Sequence, residues 1–408
     1  MQYYRNIDVS KKYHVSLTAV AKWIDAAKQG RIELQLHQEG QRVYIANTAK
    51  NQLIMDELAR ERKKFINSRS RKTVRPSARF YELYNEEEIF DIIANIEKHR
   101  EIPLQYAYFD GGADFWDKYM QKLLNDTTPN TLTSTIKLLE LAQSSITTLI
   151  GSNKRVNVVD LGVGNAMPVH GLLSNLLRQG LLNRYVAIDD SKAMLDIAEQ
   201  NIKEWFDDKV NFEGHVRDIL TDRFDDLLAR DSFDGSNAMN VVLLLGGTLS
   251  NLRNPEYTLE LIHRSMGRND LLVFTRKLDT PRARTFFDFN PDDSVAPLPP
   301  RHKMIPDLLN IDESFYDVEQ LFDTTDQARY IRIRMKVTLS IIFEIDGRER
   351  TVTLEKGDAL LLWRARHQNT FDVIRQFDRN NFELLNASKT RDNEYILLIY
   401  EVKDDTAR

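Results

Sequence analysis

Two glycines, Gly162 and Gly164, stand between an apolar run and an amphipathic stretch, and they constrain this chain more than any other feature. The apolar run, residues 156–159, leads through Asp160 and Leu161 into the turn Gly162-Val163-Gly164. A stretch with helical apolar spacing follows, then a second apolar run, residues 185–188, that ends at Asp189. Strand, glycine turn, helix and strand in that order make a βαβ unit of a parallel sheet. Glycine reaches backbone angles closed to other residues and lets the main chain approach a ligand. A carboxylate closing the second strand accepts hydrogen bonds from ribose hydroxyls. The unit predicts a nucleoside site made from Asp160, Gly162, Gly164 and Asp189. A dinucleotide would call for a third glycine beside its pyrophosphate, and Met167 occupies that place.

The acid ahead of the glycines adds information. Asp160-Leu161-Gly162-Val163-Gly164 resembles motif I of S-adenosylmethionine-dependent methyltransferases. The resemblance implies that the turn passes under the methionine part of that cofactor while carboxylates hold its ribose. With no phosphate to bind, the strict glycine triplet is not needed.

Size and composition narrow the class. A chain of 408 residues predicts two or three domains. Apolar residues make 42% and charged residues 29%, the composition of an ordinary soluble protein. No apolar run reaches the ~20 residues of a membrane span, and no signal-peptide pattern is visible. The absence of cysteine excludes disulfides, thiolate metal sites and cysteine nucleophiles, and it fits a reducing, cytoplasmic location. The eight histidines show no metal-ligand spacing. The net charge of −5 conceals an asymmetry: residues 1–76 carry about +9, which leaves about −14 for the remainder. A basic module on an acidic body suggests a nucleic-acid-facing segment.

Residues 7–13 predict a short helix and residues 14–16 a turn, with Ser16 as the N-cap of a second helix over 17–29 that Gly30 ends. Two alternating runs around Glu39-Gly40 predict a hairpin. Helix, turn, helix and hairpin resemble the winged helix-turn-helix of the MerR and excisionase type over residues 1–58. The resemblance implies that the second helix enters the major groove, with Ser16, Thr18, Ala19 and Lys22 outward and Arg42 at the hairpin tip on phosphate or the minor groove. DNA is then the expected partner of residues 1–75. The competing reading is a protein-contact module, with a homodimer as its product. Residues 51–75 follow as a helical pattern and a basic linker, with the hinge expected at 68–72.

From residue 156 to 277 strand and helix patterns alternate, so the expected fold is α/β: a Rossmann-like methyltransferase with a parallel-rich sheet, plus the N-terminal winged helix-turn-helix and a C-terminal β-rich substrate module. The boundaries read as 1–66, 67–127, 128–290 and 291–408. Ligands of such sheets lie at the carboxyl ends of the strands, where Asp160, Asp189, Asp218 and the 246–251 loop fall. DLGVGNAMP, YVAIDDS, the Asp218-Ile219 pair and LLLGGTLSNL together resemble the histidine N-alpha-methyltransferase family of ergothioneine biosynthesis, over roughly residues 76–400. That resemblance implies that Asp218 and Ile219 flank the adenine. It also implies that Asn251 holds the amino and carboxylate groups of the methyl acceptor, and that Tyr106 or Tyr108 holds the carboxylate.

The departures bear on the substrate. The family's glutamate and serine that grip the imidazole fall, by register, on Trp363 and Ala365. Indole cannot accept an imidazole N–H, so the expected acceptor is an amino-acid-like or small amine other than free histidine. Arg364 and Arg366 beside Trp363 would suit an apolar or anionic group, against a reading as strand packing with solvated arginines. No dedicated base stands out: His170 reads as helix packing, and His367 is a slightly better candidate. Two rival functions remain: a DNA-binding regulator that senses S-adenosylmethionine, and a methyltransferase acting on protein or nucleic acid. The fourth-strand loop LLLGGTLSN lacks the Asp/Asn-Pro-Pro-Tyr/Phe motif, which disfavours nucleobase methylation.

Overall fold

The computed structural model describes residues 3–69, 71–108, 112–151, 155–228, 238–281, 298 and 300–403. At the N-terminus come β1 (Tyr3–Tyr4), α1 (Asn6–Tyr13), α2 (Leu17–Lys28), β2 (Leu36–Glu39), β3 (Arg42–Ala46) and α3 (Ala49–Arg69). The strands form one sheet of order β1-β3-β2. His14 adopts a left-handed backbone, φ 51°, which turns α1 away from α2. The Ser16 hydroxyl accepts from the Ala19 N–H at 3.2 Å and caps α2. Val9, Val20, Trp23, Ile24, Ile45 and Met55 close a separate small core. Asn51 ties α3 to the hairpin, donating to Ala46 O at 2.8 Å and to Gln35 O at 2.9 Å. Ala19, expected to face outward, is fully buried.

The expected hinge at 68–72 coincides with the end of α3 and the start of β4 (Lys72–Val74). Next come α4 (Ala78–Leu83), α5 (Glu86–His99), α6 (Gly112–Leu124) and α7 (Thr131–Ile150). The alternating body follows: β5 (Arg155–Leu161), α8 (His170–Arg178), β6 (Leu182–Asp189), α9 (Lys192–Phe206), β7 (Phe212–Val216), α10 (Asp225–Leu228), β8 (Ala238–Leu244), α11 (Thr248–Asn251), α12 (Pro255–Ser265) and β9 (Leu271–Lys277). After it lie α13 (Pro300–Leu308), β10 (Tyr316–Asp323), β11 (Ala328–Met335), β12 (Leu339–Ile345), β13 (Arg348–Leu354), β14 (Ala359–Arg366), α14 (Thr370–Arg379), β15 (Phe382–Lys389) and β16 (Tyr395–Val402).

The large sheet runs β15-β16-β9-β8-β5-β6-β7. The pairs among β5 to β9 are parallel, while β16 is antiparallel to both neighbours. Parallel strands are covered on both faces, which is why β5, β6 and β8 read as nearly continuous apolar runs. Val156, Val158, Tyr185 and Ala187 meet the helices α7, α8 and α9 on one side. Val159, Leu161, Val186 and Ile188 meet Leu259, Ile262, Val373 and Phe377 on the other. Phe377 of α14 stacks on Tyr400 of β16, centroids 4.5 Å apart and planes 7° off parallel. β5 sits between β6 and β8, so the connections leave it in opposite directions and open a crevice at its carboxyl end.

Two further sheets, β10-β11-β14 and β13-β12-β4, enclose a second core with α4, α5 and α13. This changes the segmentation expected from sequence. Residues 291–408 do not form one module: α14, β15 and β16 complete the large sheet and its cover, and the β-rich part is an insertion between β9 and β15. β4 and α5, read as a separate segment, belong to that insertion's core, with Lys72 paired to Leu339. Pairing over so long a separation leaves no local pattern in the residues.

Candidate functional site

β5 ends at the glycine turn. Gly162 has φ 70° and Gly164 φ 54°, angles that strain any residue with a Cβ. A Cβ on Gly162 would stand 3.3 Å from Thr248 Oγ1 of α11, and one on Gly164 would stand 3.4 Å from Trp116 Nε1 of α6. The turn is therefore a bare-backbone cradle that side chains would fill, which fits a ligand lying directly on the main chain. Beneath it, Asp160 is buried and accepts from the Tyr185 hydroxyl at 2.8 Å. Burial pushes the Asp160 carboxyl up to about 7, with the Tyr185 hydrogen bond opposing that shift.

Asp189 is brought to the same turn. Gly164 N–H donates to its Oδ2 at 3.3 Å and Ser191 N–H to its Oδ1 at 3.1 Å. Burial raises Asp189, and burial together with the Asp189 charge raises Asp190 beside it. Arg217 N–H donates to Asp189 O at 3.0 Å, which sets the end of the third strand against the second. Asp218 follows, raised by burial and receiving Leu220 N–H at 2.8 Å on Oδ1. Ile219 packs on the core that contains Phe224 and Leu227. Four carboxyl groups, those of Asp160, Asp189, Asp190 and Asp218, thus line the carboxyl ends of β5 and β6 and the exit of β7.

Sequence reasoning missed the roof over the turn. α6 lays Trp116 against Gly164, and Asp117 Oδ1 accepts from Asn165 Nδ2 at 2.8 Å. Asn165 is buried, and its carbonyl accepts from Asn201 Nδ2 of α9 at 2.9 Å. An uninterrupted amphipathic helix predicts burial of one face but not what it covers. The asparagine immediately after the second glycine was the one available signal.

On the other side, α11 follows β8 and packs on β14. Asn251 is half-buried, with Nδ2 3.7 Å from where a Gly247 Cβ would stand. Arg276 of β9 crosses between these elements, donating to Ser250 Oγ at 2.9 Å, to Arg366 O at 2.8 Å and to Gln368 Oε1. Trp363 packs on the second core, its ring 6.1 Å from that of His302. Arg364 forms a buried ion pair with Glu101, and Arg366 donates to Arg253 O at 2.9 Å, so neither is a solvated arginine. Tyr106 is buried, with its hydroxyl on Asp91 Oδ2 at 2.8 Å. The backbone of Tyr108 ends a short 3-10 turn, and its side chain lies outside the described residues. His170 sits edge-on to Trp205 at 5.0 Å. His367 is pushed down to about 3 by burial and the nearby Arg276 and Arg329, which makes it neutral near pH 7. Among the described residues no His, Asp and Glu converge as metal ligands, and no helix is long and apolar enough to cross a membrane.

In the N-terminal unit Thr18, Lys22 and Arg42 are exposed. Ser16 is exposed as well, with its hydroxyl engaged as the cap of α2.

Residues 86–285, just under half of the chain, match the family described as histidine-specific methyltransferase, S-adenosylmethionine-dependent. No curated protein matches. Among solved structures, an S-adenosylmethionine-dependent methyltransferase from Clostridium acetobutylicum aligns over 71% of this chain and 99% of its own, with a TM-score of 0.37 and 11% identity. The CcbJ methyltransferase from Streptomyces caelestis aligns over 68% and 100%, TM-score 0.35, 12% identity. Human N-acetylserotonin methyltransferase, in complex with S-adenosylmethionine, aligns over 98% and 88%, TM-score 0.37, 10% identity.

Proposed function

We propose that the chain is an S-adenosylmethionine-dependent methyltransferase that transfers the methyl group to the nitrogen of an amino-acid-like or small amine other than free histidine. The observation that carries this reading is the seat of α11. Thr248 lies against Gly162, and Asn251 ends the same one-turn helix three residues on, with its Nδ2 beside Gly247. An amine held by Asn251 is then next to the cradle.

When bound, S-adenosylmethionine supplies an electrophilic methyl group. The chain's own residues do the rest. Gly162 and Gly164 admit the ligand to the main chain. Asp189 offers its carboxylate to the ribose hydroxyls, and Asp218 and Ile219 flank the adenine. Asp160 and Tyr185 support the turn from below. Asn251 orients the acceptor nitrogen, and orientation of this kind supplies much of the rate. Trp116 and the Asn165–Asp117 contact close the turn to water, which strengthens the polar contacts inside. The acceptor amine loses its proton to water or to a base not assigned to a residue.

Residues 1–66 are proposed as a winged helix-turn-helix that holds DNA through Ser16, Thr18, Lys22 and Arg42, with residues 67–75 adding phosphate contacts. The exposure of Lys22 and Arg42 and the basic excess of this segment support it.

The test is direct. The protein is incubated with S-adenosylmethionine and each of the amino acids and their decarboxylated amines, and S-adenosylhomocysteine is measured. Turnover of a panel member with a methylated nitrogen in the product is expected. Turnover of none, with S-adenosylmethionine still binding and changing the protein's affinity for DNA, supports a sensing regulator instead.

A further inference from the structure

We propose that Arg276 anchors an acidic group of the methyl acceptor, a carboxylate received between β9, α11 and β14. This rests on the acceptor reading above and narrows it to molecules that carry such a group. Arg276 is the next-to-last residue of β9, at the end of the sheet where ligands lie. Its side chain is removed from water, at 3% exposure. Its acceptors are the Ser250 hydroxyl, the Arg366 carbonyl and the Gln368 amide oxygen, all neutral. Its Nε has no acceptor, and no carboxylate among the described residues pairs with it. The charge of Arg366 also bears on it, another cation, whose own guanidinium donates to the main-chain carbonyls of Leu252 and Arg253.

A buried charge without a counter-charge is costly to a fold. The chain keeps the Arg276 guanidinium here on neutral acceptors alone. An incoming anion supplies the missing partner. Nε and the adjacent terminal nitrogen form a side-on fork that matches the two oxygens of a carboxylate. The Ser250 hydroxyl, a neutral and rotatable acceptor, gives way to it. Ser250 precedes Asn251, so an acid held at Arg276 lays the rest of the acceptor along α11 toward Thr248 and the glycine turn. The arrangement selects an acceptor with an acidic group near its amine and disfavours the same amine without it.

The acceptor being unidentified, acetate is the probe. Melting of the full chain is followed in sodium acetate and in sodium chloride at equal ionic strength. Acetate is expected to raise the wild-type melting temperature above chloride, by mass action on the folded state. Arg276→Gln should lose the difference, Arg276→Lys should keep part of it, and Ser250→Ala, which removes the competing hydroxyl, should enlarge it. The lysine and Ser250→Ala variants hold the test if Arg276→Gln does not fold. No acetate effect in the wild type, or equal effects in wild type, Arg276→Lys and Ser250→Ala, overturns the proposal. Calorimetric titration with S-adenosylmethionine separates the two sources of a carboxylate. Equal affinity in wild type and Arg276→Lys assigns the anchor to the acceptor. A loss of about tenfold or more, about 1.4 kcal/mol, assigns it to the cofactor and overturns the claim. A failed amino-acid screen sinks the acceptor reading alone, since acetate binding needs no turnover.

Discussion

The Tyr185 hydroxyl on β6 donates to Asp160 Oδ2 on β5 across 2.8 Å, and both side chains are buried directly beneath the glycine turn. The hydrogen bond partly offsets the burial that pushes Asp160 up to about 7 from an ordinary value of 3.8. A carboxyl raised in the fold holds its proton there more tightly than in the unfolded chain. Its contribution to stability is therefore fullest below about 4 and is lost as pH rises through about 7. Asp160→Asn has no proton to lose. The melting temperature of the variant relative to wild type should climb between pH 4 and 7 and level off above. A difference that stays constant across that range would show that Asp160 does not titrate there.

Asp189 should hold the ribose. Its Oδ2 already meets Gly164 N–H at 3.3 Å, so the ligand and the turn share one carboxylate. Removing a charge-assisted contact to two hydroxyls should weaken S-adenosylmethionine binding by about 1.5–3 kcal/mol. Calorimetry on wild type and Asp189→Ala decides it, and equal affinity removes Asp189 from the site.

Gly164→Ala tests the cradle. At φ 54° an added Cβ costs about 1–2 kcal/mol, and it also meets Trp116 Nε1 at 3.4 Å. Melting should fall modestly while cofactor affinity falls more. A variant that melts lower but binds S-adenosylmethionine as the wild type does would place the ligand away from this turn.

The large sheet was legible because its signals are local: an apolar run, a glycine turn, a helix of the right period. Asp160, Gly162, Gly164 and Asp189 could be placed from such signals, and they meet at one point. Trp116 and Asp117 could not, because a helix that covers a site has the same apolar period as one that covers a core. Arg276 was invisible for another reason. It lies in the strand run LLVFTRK, where an arginine near a strand end reads as a solvated terminus; only the folded chain shows it removed from water. The fate of β16 depended on pairing with β9 more than a hundred residues earlier, and that of β15 on pairing with β16, so no short window of sequence contains it.

The N-terminal unit should bind DNA through charge. Each phosphate contact steepens the fall of affinity with salt. Lys22→Glu and Arg42→Glu in the full chain should each reduce both affinity and that slope by about one contact. Duplex binding is measured at two salt concentrations with random and promoter-derived DNA. Failure of wild type to bind either duplex at low salt would make this unit a protein-contact module.

Free histidine should be a poor acceptor. The family match, described as histidine-specific, covers residues 86–285 and stops before β14. The two positions that would grip an imidazole, Trp363 and Ala365, lie beyond it. Trp363 packs on the second core near His302, and Ala365 is buried, so neither offers a polar atom to a ring N–H. A site built to hydrogen-bond a group loses about 10⁴-fold when the partnership is missing. In a screen for S-adenosylhomocysteine release, histidine should fall that far below the preferred acceptor. The double variant Trp363→Glu, Ala365→Ser should gain histidine turnover, unless β14 shifts, because its register against β11 already slips between Ile331 and Arg332. Rapid trimethylation of histidine by the unaltered protein would sink the idea, and would mean that the imidazole is held by residues other than these two.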